Sequence, residues 1–139
     1  MKGYRIRYQA GYKYVLVDDY AVQLAFVRPE REIVTEYLAL SRPGRLFIRH
    51  GYAWDGPSGP TCDTLDSLRG SLVHDALYQL IREGHLDSAQ RRNADRELRE
   101  ICIEDGMSAV RARMWFEGLD HFGQAAATGD GGRPVLTAP

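Results

Sequence analysis

The sequence predicts an α+β fold, with an N-terminal antiparallel β-sheet or meander followed by an antiparallel helical hairpin and a third helix. Residues 4–50 alternate apolar or aromatic with polar residues and are broken at hairpin-like intervals by turn formers. Beyond residue 62 the apolar residues recur every three to four positions, the period of a helix buried on one face. The segment between, Gly51-Tyr52-Ala53-Trp54-Asp55-Gly56-Pro57-Ser58-Gly59-Pro60, holds too much glycine and proline for either element and predicts an ordered loop.

The strand candidates are the Tyr4, Ile6, Tyr8 alternation, then Tyr12–Val17, Tyr20–Val27, Ile33–Leu40 and Arg45–His50, all rich in β-branched and aromatic residues. Gly11, Asp18-Asp19, Arg28-Pro29-Glu30 and Ser41-Arg42-Pro43-Gly44 separate them with turn chemistry. A first helix is expected from an N-cap at Asp63 or Thr64 to near Gly84, carrying an apolar stripe of Leu65, Leu68, Leu72, Ala76 and Leu80. A second runs from Asp87 or Ser88 to before Gly106, with Ala94, Leu98, Ile101 and Cys102 at core spacing. The short link makes the two an antiparallel hairpin. A third is expected from Ser108 to about Phe122, with Val110, Met114, Trp115, Leu119 and Phe122 inward and Gly123 as its stop.

With 139 residues, 44% of them hydrophobic, the chain can bury one core, so a single domain is expected over residues 1–123. Residues 124–139 lack apolar density and read as a flexible or partner-bound C-terminal tail. A net charge of -1 gives no general basic field, which removes nonspecific nucleic-acid binding from the expected functions. Cys62 and Cys102 are too few for a disulfide framework and match no zinc spacing, and whether they pair is left open. No apolar signal core follows Met1 and no stretch reaches spanning length, so the expectation is synthesis in the cytoplasm without a transmembrane segment.

The chemistry concentrates in Leu72-Val73-His74-Asp75-Ala76-Leu77-Tyr78 and in Ala94-Asp95-Arg96. On a helix, His74 and Tyr78 are four apart and Asp75 and Tyr78 three apart, so the three share a side bordering the core stripe. Asp95 falls inside the apolar stripe of the second helix and therefore points inward. A carboxylate turned toward a core needs a charged or hydrogen-bonding partner, and an antiparallel hairpin brings His74 within reach. A His74/Asp95 dyad is the physical expectation, with Tyr78 closing the network through its hydroxyl.

Asp75 has two readings, a metal ligand or an ion pair with Arg69, Arg82 or Arg96. Asp55 and Ser58 either turn the glycine-rich loop toward a ligand or hydrogen-bond the loop backbone. Ser58 lacks the Gly-x-Ser-x-Gly setting of a nucleophile elbow. His50, His85 and His121 show no ligand spacing, although a metal phosphohydrolase order through His50, His74-Asp75 and Asp95 or Asp120 can be traced. Arg91, Arg92, Arg96 and Arg99, interleaved with Asp95, Glu97 and Glu100, predict a solvated mixed-charge face.

The pattern Gly51-Tyr52, Asp55-Gly56-Pro57-Ser58-Gly59-Pro60, His74-Asp75-Ala76-Leu77-Tyr78 and Ala94-Asp95 resembles a family of small phage and bacterial proteins of unknown function. That resemblance implies a phage or prophage origin and so synthesis in a host cytoplasm; incorporation into a virion belongs to the alternative reading below. His-Asp-x-x-Tyr on one helix and Asp-Arg on the antiparallel next is also similar to the catalytic hairpin of secretory phospholipases A2. That likeness implies His74 as general base, Asp75 as calcium ligand, and Tyr78 and Asp95 as the groups that orient the histidine. Calcium takes several oxygens, so backbone carbonyls of the loop, at Trp54 and Gly56, would join Asp75. The chain departs from those enzymes in lacking their many disulfides, in Leu77 where they usually hold cysteine, and in its leading sheet.

The expected function is a calcium-assisted ester hydrolase acting on phospholipid or another ester at a membrane or envelope. The alternative is a non-catalytic virion structural or assembly component that binds other virion proteins, or itself, through residues 124–139.

Overall fold

The computed structural model describes residues 6–9, 14–55, 65–114 and 116–118. The expected α+β order holds: strands first, helices after. The strands form two antiparallel sheets rather than one. β1 (Tyr8–Gln9), β2 (Tyr14–Leu16) and β7 (Ala53–Trp54) make a three-stranded sheet in the order β1-β2-β7. β3 (Tyr20–Gln23), β4 (Ile33–Val34), β5 (Leu38–Leu40) and β6 (Arg45–Ile48) make the second, in the order β3-β6-β5-β4. β4, β5 and β6 are thus a meander, and β3 closes onto its far side.

Three departures from the predicted strands have local causes. The run Ile33–Leu40 folds back on itself because Thr35 Oγ1 accepts from the Leu38 N–H and its own N–H donates to the Leu38 carbonyl, making a hairpin of β4 and β5. β3 stops at Gln23 because the N–H groups of Ala25, Phe26 and Val27 all donate to the Glu97 carboxylate instead of a neighbouring strand. Within the glycine-rich segment, Ala53 and Trp54 pair with Val15 and Tyr14 and form a strand where a loop was expected. In β6 the period of two is clean: Leu46 and Ile48 face the core and Arg45 and Phe47 face out.

α1 (Leu65–Arg82) is buried on nearly every side, with Leu72, Val73, Ala76, Leu77 and Leu80 fully enclosed. Its expected caps, Asp63 and Thr64, lie outside the described residues. It ends in a Schellman motif: Gly84, at φ +81°, donates to the Ile81 carbonyl while His85 donates to Leu80, a geometry that favours glycine. Asp87 then accepts from the Ala89 N–H and starts a single 3-10 turn, Ser88–Gln90, so α2 (Arg91–Glu104) begins three residues later than Ser88. Gly106, at φ +107°, closes α2 in the same way, with Met107 donating to Cys102.

The hairpin is antiparallel, as its contacts run in opposite numerical order: His74 meets Asp95, Gly70 meets Leu98 and Cys102, and Arg69 meets Asp105. Helical residues follow at 109–114 and 116–118, with Ser108 Oγ accepting from the Arg111 N–H at the start. Here the expected inward face was wrong. Val110 and Met114 are exposed, while Ala112 and Phe116 are buried, because this segment packs against α2 through Leu98, Cys102, Met107 and Ala112. Leu119, Phe122, Gly123 and the tail 124–139 lie outside the described residues. Among the described residues no helix is long and apolar enough to cross a membrane.

Candidate functional site

The helical period places His74 and Tyr78 one turn apart on the α1 face that meets α2. Asp95 rises from the facing side of α2, fully buried. Its Oδ1 accepts from His74 Nε2 at 2.7 Å and from the Tyr78 hydroxyl at 2.6 Å, while Arg91 Nη1 approaches Oδ2 at 3.4 Å from one turn earlier in α2. The imidazole and phenol rings lie 4.1 Å apart between centroids, tilted by 38°. Two donors on one carboxylate oxygen fix both rings, and the carboxylate selects the His74 tautomer that carries its proton on Nε2.

That choice leaves the Nδ1 lone pair as the reactive edge. Nδ1 lies 3.9 Å from Asp75 Oδ1, beyond hydrogen-bond reach, so the two interact through charge. Burial on its own would lower the His74 pKa, but the carboxylates of Asp75 and Asp95 at its two nitrogens outweigh that, and the pKa is raised above 6.5. The Tyr78 hydroxyl is pushed far up by burial and by the Asp95 charge, so it stays a donor.

Asp75 sits at the outer margin of this group, with 31% of its side chain exposed. Its carboxyl is raised, by desolvation first and then by the neighbouring charge of Asp55, against the opposing pull of His74 and Arg82. β7 delivers Asp55 there, because the buried Trp54 indole donates to Ser71 Oγ and anchors the strand on α1. The buried Tyr52 belongs to the same neighbourhood: its hydroxyl donates to Gln79 Oε1, and burial followed by the charge of Asp75 raises it well above 10.0.

No protein-family model, curated protein or solved structure matches this chain. The roles of these residues are therefore argued from their chemistry.

The charge of Asp55 is felt at Asp75, and these are the two carboxylates that a divalent cation at this margin would have to use. Among the described residues no three His, Cys, Asp or Glu side chains converge on a metal-sized point, so further oxygens would have to come from backbone. Trp54 would contribute through its carbonyl, since its ring is in the core. Gly56 and Ser58 lie outside the described residues.

Other expectations resolve individually. Of the three arginines proposed to pair with Asp75, Arg69 is committed elsewhere: it is buried, donates to Glu104, Asp105 and the Tyr20 hydroxyl, and ties α1 to the end of α2 and to β3. Arg96 donates to Asn93 Oδ1. His50 is exposed and bonded to Asp19 at 2.7 Å, at a turn after β6, which removes it from the traced phosphohydrolase set. Cys102 is a free buried thiol, its pKa pushed up to about 12 chiefly by desolvation.

The residue most misjudged from sequence is Glu97. Expected on a solvated face, it is 2% exposed and accepts from three consecutive backbone N–H groups at 3.0, 2.7 and 2.9 Å. Its position beside the apolar Leu98 and Ala94 was the available signal, but the three donors come from 70 to 72 residues away and no local pattern announces them. Arg91 was likewise counted among surface charges, whereas its guanidinium closes the Asp95 network.

Proposed function

We propose that the protein is a phage-encoded, phospholipase-like ester hydrolase that acts at a membrane or envelope. The observation that carries this reading is the shared Asp95 oxygen at 2.7 Å from His74 and 2.6 Å from Tyr78, which holds the imidazole with Nδ1 turned toward the partly exposed Asp75. In this reading His74 withdraws a proton from water at Nδ1 as the water oxygen attacks the ester carbonyl carbon. Asp95 stabilises the imidazolium that forms, and the same proton then passes to the departing alkoxide. A general base held this way contributes about 10²–10⁴ in rate.

Calcium, when bound by Asp75 with Asp55 and the carbonyls of Trp54 and Gly56, would polarise the ester carbonyl. Tyr78 donates to Asp95 and keeps its proton throughout. The test is release of fatty acid from phospholipid vesicles by the purified chain, with calcium and with chelator. Release that needs calcium supports the hydrolase, and no release under either condition opposes it.

A second reading, a non-catalytic assembly component, has its own support in the outward face of the four-stranded sheet. Ala21, Phe47, Ala39 and Val34 stand in register across β3, β6, β5 and β4, and Val34 is 79% exposed. An apolar row of this kind suits contact with a neighbouring subunit. Sedimentation of wild type against Phe47→Ser and Val34→Ser distinguishes it, since only an assembly interface loses mass with those substitutions.

A further inference from the structure

We propose that the four-stranded sheet pairs face to face with the sheet of a second copy of this chain, about a two-fold axis that runs along the strands between β6 and β5. This rests on the sheet face of the assembly reading above and names its partner, and it holds for a catalytic chain as well. Alternation along the strands sends Leu38, Leu40, Leu46 and Ile48 into the core. It leaves Ala21, Phe47, Ala39 and Val34 outward, in one row across β3, β6, β5 and β4, with Phe47 38% and Val34 79% exposed.

The row is complementary to itself in size. In strand order it reads small, large, small, large. A two-fold axis along the strands, through the middle of the sheet, lays β6 over the second copy's β5 and β3 over its β4. Every large side chain then meets a small one, Phe47 on Ala39 and Val34 on Ala21, as two aligned sheets with interdigitating faces require.

The flanking charges agree with that axis. Arg49 lies over the Tyr37 ring of its own chain at 5.6 Å, which puts both side chains at one end of the outward face. In the pair each Arg49 comes opposite the other copy's Tyr37, a ring on which a guanidinium stacks. At the other end Arg45, paired in register with Gln23, comes diagonal to the other copy's Glu32. Asp19 comes opposite Glu36 at one corner, where the His50 ring and N–H already hold the Asp19 carboxylate. The other face-to-face symmetry, with its axis across the strands, is disfavoured by the same residues. It would stack Phe47 on Phe47 and Ala39 on Ala39, and bring Arg49 against Arg45.

Four strands about 4.8 Å apart and rows spanning about 14 Å present roughly 300 Å² of flat sheet per copy. Stable complexes cover about 800 Å² per partner, so this pair is a weak one that forms as concentration rises.

The test is sedimentation equilibrium of the full chain between about 10 µM and about 1 mM, with each variant first shown to melt cooperatively. Wild type moves from monomer toward dimer across that range. Phe47→Ala leaves a gap opposite Ala39, and Ala39→Phe sets two rings against each other, so each alone weakens dimerisation about ten-fold or more. The double variant Phe47→Ala/Ala39→Phe exchanges the sizes on both sides of each contact and returns to within about three-fold of wild type. Arg49→Glu weakens the pair, whereas tighter dimerisation in that variant would place the axis across the strands and overturn the proposal. A double variant no tighter than the singles overturns it too. So does a wild type that stays monomeric at about 1 mM, which would leave the neighbour of the assembly reading to another protein. Dimerisation that follows these variants in a chain that also releases fatty acid from phospholipid would remove the non-catalytic reading and keep this interface.

Discussion

Replacing Asp95 with asparagine keeps the shape of the group on which His74, Tyr78 and Arg91 converge and removes its charge. Oδ1 of Asp95 is fully buried and takes hydrogen bonds at 2.7 and 2.6 Å. Each such bond to a charged acceptor contributes about 1.5–3 kcal/mol, and an amide oxygen retains part of both. The Arg91 contact, at 3.4 Å with 18% of that side chain exposed, adds less than about 1 kcal/mol after solvent screening. The net loss is about 2–3 kcal/mol, which lowers the melting temperature of a chain this size by about 6–10 °C. Either orientation of the amide also weakens the base. With oxygen toward His74 the tautomer survives but the imidazolium loses its counter-charge, and with nitrogen toward His74 the tautomer reverses and Nδ1 carries the proton. Turnover per folded molecule therefore falls by about 100-fold or more. Circular-dichroism melting and ester hydrolysis on the same samples provide the readout, and a double-mutant cycle with His74→Ala yields a coupling energy of about 1–3 kcal/mol. A variant that melts within about 1 °C of wild type, with additive effects in the cycle, would refute the reasoning.

Glu97→Gln turns an amide N–H toward at least one of three backbone donors and destabilises by about 2–4 kcal/mol in urea unfolding. Hydrolysis per folded molecule is unchanged, since Glu97 contacts the loop at residues 25–27 and not His74. Gly70→Ala places a Cβ 2.8 Å from Cys102 Sγ and 2.9 Å from Leu98 Cδ1, with the Leu98 carbonyl at 3.3 Å, so these buried side chains have to shift in a packed seam; a loss of about 1–3 kcal/mol is expected by the same measurement. The pH dependence follows from two raised pKa values. His74 and Asp75 both hold protons more tightly folded than unfolded, so their stabilisation is complete below 6.5 and 3.8 respectively and is lost as pH rises through each folded value. Asp75→Asn removes one of these groups and one of the two charges that raise the other. In metal-free buffer its melting temperature therefore declines less steeply than wild type above about pH 6.5, and an equally steep decline would contradict the assignment.

The features legible in the sequence are those set by local periodicity. The helical hairpin, its two glycine stops and the inward position of Asp95 all follow from spacing within one element, and one further step, the antiparallel packing of a short-linked pair, brings His74 to Asp95. Strand boundaries were less legible because they depend on distant groups: β3 ends where Glu97, on α2, captures its backbone, and β7 exists because Tyr14 and Val15 are there to pair with it. The inward face of the last helical segment was misread because Val110 and Met114 match the helical period as well as Ala112 and Phe116 do, and only the small surface around Cys102 decides between them. Buried charges were the least legible. Arg69 and Glu97 look like surface residues in a chain with 27% charged residues, and only tertiary donors and acceptors make their burial favourable.

The most direct test of the central claim is ester hydrolysis by His74→Ala beside wild type, in calcium, on phospholipid substrate, with both proteins shown by melting to be folded at the assay temperature. A base acting at Nδ1 predicts calcium-dependent release by wild type and a fall of about 100-fold or more in the folded variant. Equal rates in the two proteins, or no release by wild type, would contradict it and leave the His74, Tyr78 and Asp95 network as a structural clasp between α1 and α2.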